Sequence, residues 1–392
     1  MIIIGKPFVT NTDNKSRLTA KLSIDKKEVE VWFEVDNKFG NYLTYERSDA
    51  FVIGVLSYAM RNGHDITCKQ PMSTDLFYQI DTYLIDAVYK GSKSLYRTKI
   101  ITDISNEELE SAKAVGTGIS CGIDSFHAIS SHTGLKSEEF NVTHLAFNNV
   151  GSHGEGDRAV KLFNERRKLA KKFADEYNYE FVESNSNIHD VIPQNHFLTN
   201  TYTSCFAIFC LRKLYSYYLY ASAVPFSRFK LELNENTSSG HYDLLSLNMF
   251  SISGLKIYSE GATSTRFEKT IAVSKYTPSY NYLNVCTDTA ENCNKCEKCI
   301  RTLLTLDAIN ALDFYKDVFD IDSYRRNKQW YLRKMLKFKR TKKDYTEIYP
   351  ILKKNIKYVT YLIGWFDLLL TSSINHTPQA IKNIIKRIIG RK

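Results

Sequence analysis

The sequence has no apolar run long enough to cross a membrane. The candidate Tyr358 to Leu370 is shorter than the ~20 residues that a membrane helix needs, and it contains Asp367. We also expect no secretory leader, because no basic residue precedes the apolar start Met1 to Ile4 and this run stops at Gly5. We therefore expect a cytoplasmic protein without a membrane span.

The composition is that of a globular protein. Its 392 residues are 43% hydrophobic, enough to bury a core and to form a catalytic domain with accessory regions. The formal net charge is +10, which suits a nucleic-acid or anionic-membrane partner and equally an enzyme that uses ATP. Charge alone does not choose among these classes.

Residues 1–105 are expected to form a small α+β accessory domain. Apolar residues alternate from Arg17 to Val35 with Asp25-Lys26-Lys27 in the middle, which predicts a β-hairpin. Ser48-Asp49 predicts a capped helix start, and 75–89 has helical spacing of its apolar residues. The sequence leaves the role of this region open among a substrate lid, a dimer surface and a scaffold.

Residues 106–310 alternate strand and helix patterns. The predicted strands cover 114–119, 142–147 and 180–184. Because amphipathic helices such as 158–177 separate these strands, we predict an α/β fold with a parallel, Rossmann-like sheet that binds ligands at the carboxyl ends of its strands. A tyrosine-rich helix over 205–220 is expected to cover the sheet, and Lys230–Glu235 has a strand-like pattern.

A loop rich in hydroxyls follows the first predicted strand, with the sequence Ser120-Cys121-Gly122-Ile123-Asp124-Ser125. Before a helix, its backbone N–H groups would attract a phosphate chain. The loop resembles the PP-loop of the ATP pyrophosphatase superfamily, Ser-Gly-Gly-x-Asp-Ser, except that Cys121 replaces the first glycine. A cysteine adopts a positive φ less easily than glycine and keeps a phosphate farther from the backbone. An ordinary strand-to-helix turn is the alternative.

The resemblance implies roles for particular residues. Ser120 to Ser125 would hold the pyrophosphate of ATP, with Asp124 in a catalytic role. The end of the second strand, Ala146-Phe147-Asn148, would contact adenine, although Phe147 suits the core equally well. Arg266 and Lys269 would neutralise phosphates or the adenylate, and the alternative for them is a solvated helix with charges at i and i+3.

The segment Asn234 to Asp243 narrows the resemblance from the superfamily to one enzyme family within it. It is similar to the Gly-x-Asn-x-x-Asp-x-Ser-Gly-Tyr-x-Asp region of the 7-cyano-7-deazaguanine synthase family, PP-loop enzymes of the queuosine pathway. Ser239, Gly240 and Asp243 are in register and become the candidate substrate residues. The match is partial, since Thr237 stands at the acidic position.

Four cysteines are spaced Cys-x6-Cys-x2-Cys-x2-Cys, at positions Cys286, Cys293, Cys296 and Cys299. Three at x2 intervals surround one ion, and the fourth completes a tetrahedral thiolate site for zinc. The synthase family has such a site near its C-terminal end, followed by an arginine, as Arg301 follows here. Four thiolates leave no open coordination position, so the zinc is expected to be structural. Unligated cysteines are the alternative.

Residues 311–392 are expected to form a basic helical region. From Tyr324 to Lys343, arginine and lysine are mixed with aromatic residues, which suits RNA or phospholipid contact, although a solvated helix face has the same composition. After Pro378, an isoleucine stripe beside basic residues predicts a helix that lies on a membrane or docks on its own fold or a partner.

The resemblance spans residues 113–305 and implies a ligase-type enzyme. ATP, with Mg²⁺, would adenylate a carboxylate or amide oxygen of a small-molecule acid, pyrophosphate would leave, and a nitrogen nucleophile would attack. The sequence does not decide whether the substrate is a deazaguanine-type acid or another acid. It also leaves open whether the small molecule is joined to a macromolecular acceptor such as protein, sugar or RNA. We also expect a homodimer. A zinc-stabilised nucleic-acid-binding or scaffold protein with a degenerate loop is the rival interpretation, favoured by Cys121 and the basic tail.

Overall fold

The computed structural model describes residues 1–154 and 156–364. The strands are β1 (Ile2–Ile4), β2 (Phe8–Asn11), β3 (Lys15–Ile24), β4 (Lys27–Asp36), β5 (Ile66–Cys68), β6 (Met72–Ser73), β7 (Ile100–Ile101), β8 (Ile104–Ser105), β9 (Ala114–Gly118), β10 (His144–Asn149), β11 (Glu180–Ser186), β12 (Tyr215–Ala221) and β13 (Lys256–Glu260). The helices are α1 (Asp49–Asn62), α2 (Thr74–Gln79), α3 (Ile85–Lys90), α4 (Ile123–Ser131), α5 (Gly156–Glu176), α6 (Ile188–Val191), α7 (His196–Cys210), α8 (Asp243–Phe250), α9 (Arg266–Val273), α10 (Glu297–Ala308), α11 (Ile321–Arg326), α12 (Lys328–Phe338) and α13 (Tyr345–Leu352).

The chain divides into two compact units, Met1–Thr265 and a second that begins at Arg266. The predicted domain boundaries near 105 and 310 lie inside these units. None of the described helices is long and apolar enough to pass through a bilayer. The predicted helix after Pro378 lies outside the described residues, as does the end of the apolar run from Tyr358.

A large mixed sheet organises the first unit. Its strand order is β13-β12-β9-β10-β11-β4-β3-β1-β5-β7, with β2 paired to β3. The five strands from β13 to β11 are parallel. If these five strands are numbered 1 to 5 in chain order, beginning with β9, their order across the sheet is 5-4-1-2-3. This is a Rossmann-like arrangement, in which the direction of strand order changes between β9 and β12. The predicted α/β class with parallel strands is therefore confirmed.

The first hundred residues belong to the same sheet. The hairpin predicted around Asp25 is confirmed as β3 and β4, with Asp25 and Lys26 at φ 49° and 72° in the turn. Strand β4 pairs antiparallel with β11, where Val35 lies opposite Ser184. Backbone hydrogen bonds therefore run without a break from the N-terminal strands into the parallel sheet.

The prediction of one helix over 205–220 is wrong in its second half. Helix α7 ends at Cys210, and the tyrosine-rich run that follows is the sheet strand β12. Tyrosine favours strands because its ring packs well on a pleated surface, and here the neighbouring strand leaves room for it. A Cβ on Gly116 of β9 would lie 2.5 Å from Tyr215 Cε1, so glycine is required beneath that ring. Residues 230–235, predicted as strand-like, form only a single parallel bridge between Leu233 and Ser92.

The second unit is organised around α10. Arg301 of α10 forms an ion pair of 2.6 Å with Asp344, the residue before α13. Tyr324 donates to Asp307 at 2.8 Å, and Lys328 also pairs with Asp307 at 2.8 Å. Part of the basic tail is thus held against this helix by ion pairs and hydrogen bonds.

A buried ion pair joins α1 to the end of α7. Asp49, the first residue of α1, accepts hydrogen bonds from the backbone N–H and the hydroxyl of Ser73 at 2.8 and 2.5 Å. Arg212 lies 3.4 Å from the Asp49 carboxylate and donates to the Ser73 hydroxyl at 2.5 Å. Asp49 is 2% exposed and Arg212 7%, so each charge depends on the other for its stabilisation.

We expect Arg212→Ala to destabilise the protein by about 3–5 kcal/mol, because it leaves the Asp49 carboxylate buried without its counter-charge. Urea unfolding of the full chain measures this loss. The matched control is Arg97→Ala, which removes an arginine from a partly exposed pair with Asp86 and should cost less than about 1 kcal/mol. Equal effects of the two variants would contradict the buried-pair argument.

Candidate functional site

The carboxyl ends of the parallel strands form a polar rim. The loop Ile119–Gly122 follows β9, Asn148 and Asn149 end β10, and Ser222 follows β12. Connections from β9 and β12 leave toward opposite sides of the sheet at an order reversal, so their loops separate and open a crevice there. The structure therefore places the predicted phosphate loop at the position where ligands bind in open α/β sheets.

The predicted phosphate loop has the geometry of a tight strand-to-helix turn. Cys121 has φ 56°, in the left-handed region where the superfamily motif has glycine. The Ser125 hydroxyl donates to the Gly122 carbonyl at 3.0 Å and lies 3.4 Å from the Ser120 hydroxyl. Asp124 lies in the first turn of α4. The loop thus adopts a glycine-like conformation despite its cysteine.

The Cys121 side chain points into the protein and away from the loop's surface. It is 2% exposed, and burial raises the pKa of its thiol, which stays protonated at neutral pH. A thiol in this state is neither a nucleophile nor an anion that would repel a phosphate. The substitution therefore changes the strain of the loop more than its surface chemistry.

The candidate adenine contacts at the end of β10 differ in their surroundings. Phe147 is 4% exposed, and its ring packs against Phe163 and Phe181 with centroids 5.1 and 6.2 Å away. Its observed contacts are those of a core residue, and Ala146 is also buried. Asn148 lies on the rim, where its amide oxygen accepts the Ser184 hydroxyl at 2.7 Å. Of the three, Asn148 is the residue with polar atoms at the rim.

The segment that contains the candidate substrate residues is anchored below the rim. Asp243 is 3% exposed and accepts hydrogen bonds from Ser222 at 2.7 Å and from Ser259 at 3.3 Å. Ser239 is fully buried, and its hydroxyl donates to Asn200 at 2.7 Å. Gly240 is also buried. These side chains fix the segment to the ends of β12 and β13 and to α7.

An apolar cleft of about 510 Å³ runs along β13. Its polar wall is an ion pair in which His132 Nε2 lies 2.9 Å from the Glu260 carboxylate. His132 Nδ1 faces the Phe140 carbonyl at 3.1 Å. The hydrogen bond to Glu260 raises the pKa of His132, which favours the imidazolium with both ring nitrogens donating.

Comparison with known proteins identifies no relative of this chain. No family model, curated protein or solved structure matches this chain. The likeness to the PP-loop superfamily therefore depends on the motif residues, and the roles that it implies for them stay predictions.

Sequence reasoning missed a group of three histidines near the end of β10. His189 and His196 flank Gly151, since a Cβ built there would lie 3.2 Å from the Cβ of each. His153 is close enough for their charges to act on it. Burial lowers the pKa of His153 and of His196 to about 4, so both are neutral at pH 7. His153 is 36 residues before His189 in the sequence, so no spacing pattern indicates that it joins His189 and His196.

The predicted phosphate-neutralising residues begin the second unit. Arg266 and Lys269 lie on α9, and the Arg266 carbonyl accepts the Thr270 hydroxyl at 2.8 Å. Lys269 is 2% exposed, so its side chain is not the solvated charge that the alternative interpretation expects. Their catalytic role stays a prediction.

The four clustered cysteines form a candidate metal centre in the second unit. Their sulfur atoms all lie within 4.8 Å of one another, and Cys286 Sγ is 3.8 Å from Cys296 Sγ. A tetrahedral zinc with Zn–S bonds of about 2.3 Å separates its sulfurs by about 3.8 Å, so the arrangement fits such an ion. None of the eight cysteines, all at described positions, forms a disulfide.

The backbone around the centre has the form of a metal knuckle. The N–H groups of Lys295 and Cys296 donate to Cys293 Sγ at 3.4 and 3.2 Å. Asn294 makes the turn possible with φ 60°. Such N–H donors stabilise thiolate charge and orient the ligand. A bound ion would join this turn to α10, which carries Cys299.

We expect the purified protein to contain one zinc ion per chain, and Cys296→Ser to lose it, because three thiolates bind zinc much less tightly than four. Elemental analysis of protein with reduced cysteines measures the metal. Cys68→Ser, outside the cluster, is the control and should keep its zinc. Wild-type protein with reduced cysteines and no metal would contradict the prediction.

We expect Cys121→Gly to stabilise the first unit by about 1 kcal/mol, because glycine adopts the observed positive φ without strain. Cys121→Val should destabilise it, since a β-branched residue is strained further at this φ. Thermal unfolding with and without ATP measures both variants. If glycine destabilises the protein more than valine does, the thiol's packing outweighs the backbone strain and the argument fails.

Proposed function

We propose that the protein is an ATP-dependent, ligase-type enzyme that adenylates a carboxylate or amide oxygen of a small-molecule acid and releases pyrophosphate. The observation that supports this most is the conformation of the loop after β9. It keeps a left-handed residue at position 121 where the superfamily motif has glycine, and it lies at the order reversal of the parallel sheet. The superfamily loop needs a left-handed residue at this position so that its backbone can approach the phosphates, and this chain keeps that conformation although the residue is a cysteine.

Each part of the loop has a role in this proposal. The N–H groups at the start of α4 and the hydroxyls of Ser120 and Ser125 would bind the phosphate chain. Asp124 would hold Mg²⁺, since carboxylate oxygen is the ligand type that this ion prefers, and the ion would neutralise phosphate charge. Asn148 would contact the base from the end of β10. Asp243 would position the substrate side through its hydrogen-bonded serines.

Zinc has a structural role in the proposal. Its four thiolates would leave no coordination position for a substrate. The ion would fix the start of α10, whose Arg301 and Glu297 bind the residues around α13. The second unit would then depend on metal for its fold.

We expect the protein to release pyrophosphate from ATP in the presence of a suitable carboxylic acid, and Asp124→Asn to abolish that release while the fold is kept. A coupled pyrophosphate assay across a panel of acids measures this, with deazaguanine-type acids included. Asp175→Asn, a carboxylate on the exposed side of α5, is the control and should keep full activity. A protein that ATP at millimolar concentration neither binds nor stabilises would contradict the proposal.

The second candidate is an RNA-binding protein with an inactive loop. The observation that favours it is the exposed basic surface of α12, where Lys334 lies 5.2 Å from the centre of the Trp330 ring. Lys337 and Arg340 are exposed nearby. This function would give salt-dependent RNA binding that Asp124→Asn leaves unchanged, with no pyrophosphate release from any acid.

A further inference from the structure

The positive charge of the protein is concentrated in one stretch of the second unit. Residues 324–364 contain thirteen lysines and arginines and only two acidic residues, Asp344 and Glu347. The whole chain has a net charge of +10, so the rest of the chain carries no net positive charge. Such an uneven distribution of charge along a chain is typical of a surface that meets an anionic partner.

The end of this stretch is attached to α12 through Gln329. The amide oxygen of Gln329 accepts hydrogen bonds from the Lys357 backbone N–H at 3.0 Å and from the Thr360 hydroxyl at 2.7 Å. Its amide nitrogen donates to the Asn355 carbonyl at 2.9 Å. Thr360 is 7% exposed, so this side of residues 355–360 is fixed against the protein.

The other side of the same segment is apolar and exposed. Tyr358 and Val359 are 76% and 62% exposed, and Leu362 and Ile363 are 42% and 41% exposed. Residues 358–364 are helical, so the side chains of each i, i+4 pair are neighbours on the surface. We call these four residues the apolar face. Large apolar side chains that are exposed together mark a surface that another body covers.

Three lysines precede the apolar face in the chain. Lys353, Lys354 and Lys357 are all exposed. No carboxylate in the described part of the chain forms an ion pair with them, whereas Lys328 of the same stretch pairs with Asp307 at 2.8 Å. Apolar side chains accompanied by exposed lysines are the composition of protein segments that lie in the surface of a membrane.

We propose that the apolar face and its three lysines bind the surface of an anionic lipid bilayer. The apolar side chains would enter the boundary between headgroups and acyl chains, and the lysines would contact the negative charges of the headgroups. Tyr358 suits this position, because an aromatic ring with a polar end is favoured at the membrane interface. The second unit would then hold the protein on a membrane without spanning it.

The aliphatic side chains favour a bilayer over RNA as the partner of this surface. RNA is bound by basic groups that contact phosphates and by aromatic rings that stack on bases. Val359, Leu362 and Ile363 do neither, and a partner with an apolar interior is needed to bury them. A second copy of the chain would bury them as well, but a symmetric contact would also bring two sets of like-charged lysines together.

Vesicles of phosphatidylcholine mixed with phosphatidylserine are the probe, and vesicles of phosphatidylcholine alone are the comparison. We expect the full-length protein to sediment with the anionic vesicles and to bind them at least about tenfold more tightly than the neutral ones. Added salt should weaken this binding without abolishing it, because salt screens the lysines but does not oppose burial of the apolar face.

The double variant Leu362→Ser and Ile363→Ser should bind the anionic vesicles at least about tenfold more weakly, because two aliphatic side chains are lost from the contact. Its matched control is Ile101→Ser with Ile104→Ser, which replaces two isoleucines that are 57% and 52% exposed in the first unit. The control should bind like the wild type. If the first variant does not fold, as judged by urea unfolding, Val359→Ser alone tests the same face and should also weaken binding.

The triple variant Lys353→Gln, Lys354→Gln and Lys357→Gln should lose most of the preference for phosphatidylserine. Its matched control replaces three exposed lysines of the first unit in the same way, at positions Lys6, Lys27 and Lys93. This control keeps the same net charge as the triple variant and should retain the preference. Equal losses in the two would show that net charge, and not this surface, causes the binding.

A wild-type protein that does not bind anionic vesicles would overturn the proposal, as would binding that is unchanged in the serine variants. Binding that only the lysine variant loses would overturn it too, since that is the behaviour of a purely electrostatic surface such as one for RNA. Self-association that the serine variants lose, without vesicle binding by the wild type, would make the face a contact between copies of the chain. Failure of the pyrophosphate assay bears on the adenylation proposal alone, because vesicle binding is measured without ATP.

Discussion

The parallel pairing of β9 with both β10 and β12 is the constraint on which the first unit depends. A strand in the middle of a parallel sheet has its backbone groups bonded on both sides, so its connections must leave at the strand ends. Here the connections after β9 and β12 leave on opposite faces, and the helices that cover the sheet cannot close the space between them. The loop Ile119–Gly122 ends β9 at this point, which is the position where open α/β sheets leave room for a ligand.

The features that could be predicted from the sequence are those with local signals. The hairpin around Asp25 follows from period-two alternation and a short polar turn, and the cysteine centre follows from x2 spacing. Strand β12 was missed because a run of tyrosines and leucines fits a buried helix as well as a strand. What decides between them is the glycine at 116, which belongs to a different strand about a hundred residues earlier. The histidine group at Gly151 was missed for the same reason, because its members meet only in the folded chain.

Continuity of the sheet changes the interpretation of the first hundred residues. Their amphipathic strands and helices are those of a small domain, and the sequence contains no sign of a partner for β4. The structure supplies that partner in β11, and the buried Asp49 and Arg212 pair adds a second attachment at the end of α7. A region joined by both backbone pairing and a buried ion pair moves little against its neighbour. Such a region is suited to being a fixed part of the fold more than to acting as a mobile lid.

Cys121 shows how the conformation of a loop can persist when its residue type changes. The superfamily glycine is needed for two reasons, its positive φ and its lack of a side chain near the phosphates. The structure separates these two requirements. The positive φ is kept, at a cost in strain that the surrounding β9–α4 turn imposes, and the side chain is turned into the core, where its pKa is raised and it carries no charge. The exposed part of the loop then includes the Ser120 side chain and not the thiol of Cys121. The cysteine therefore changes the strain of the loop and adds neither a charge nor an exposed side chain to its surface.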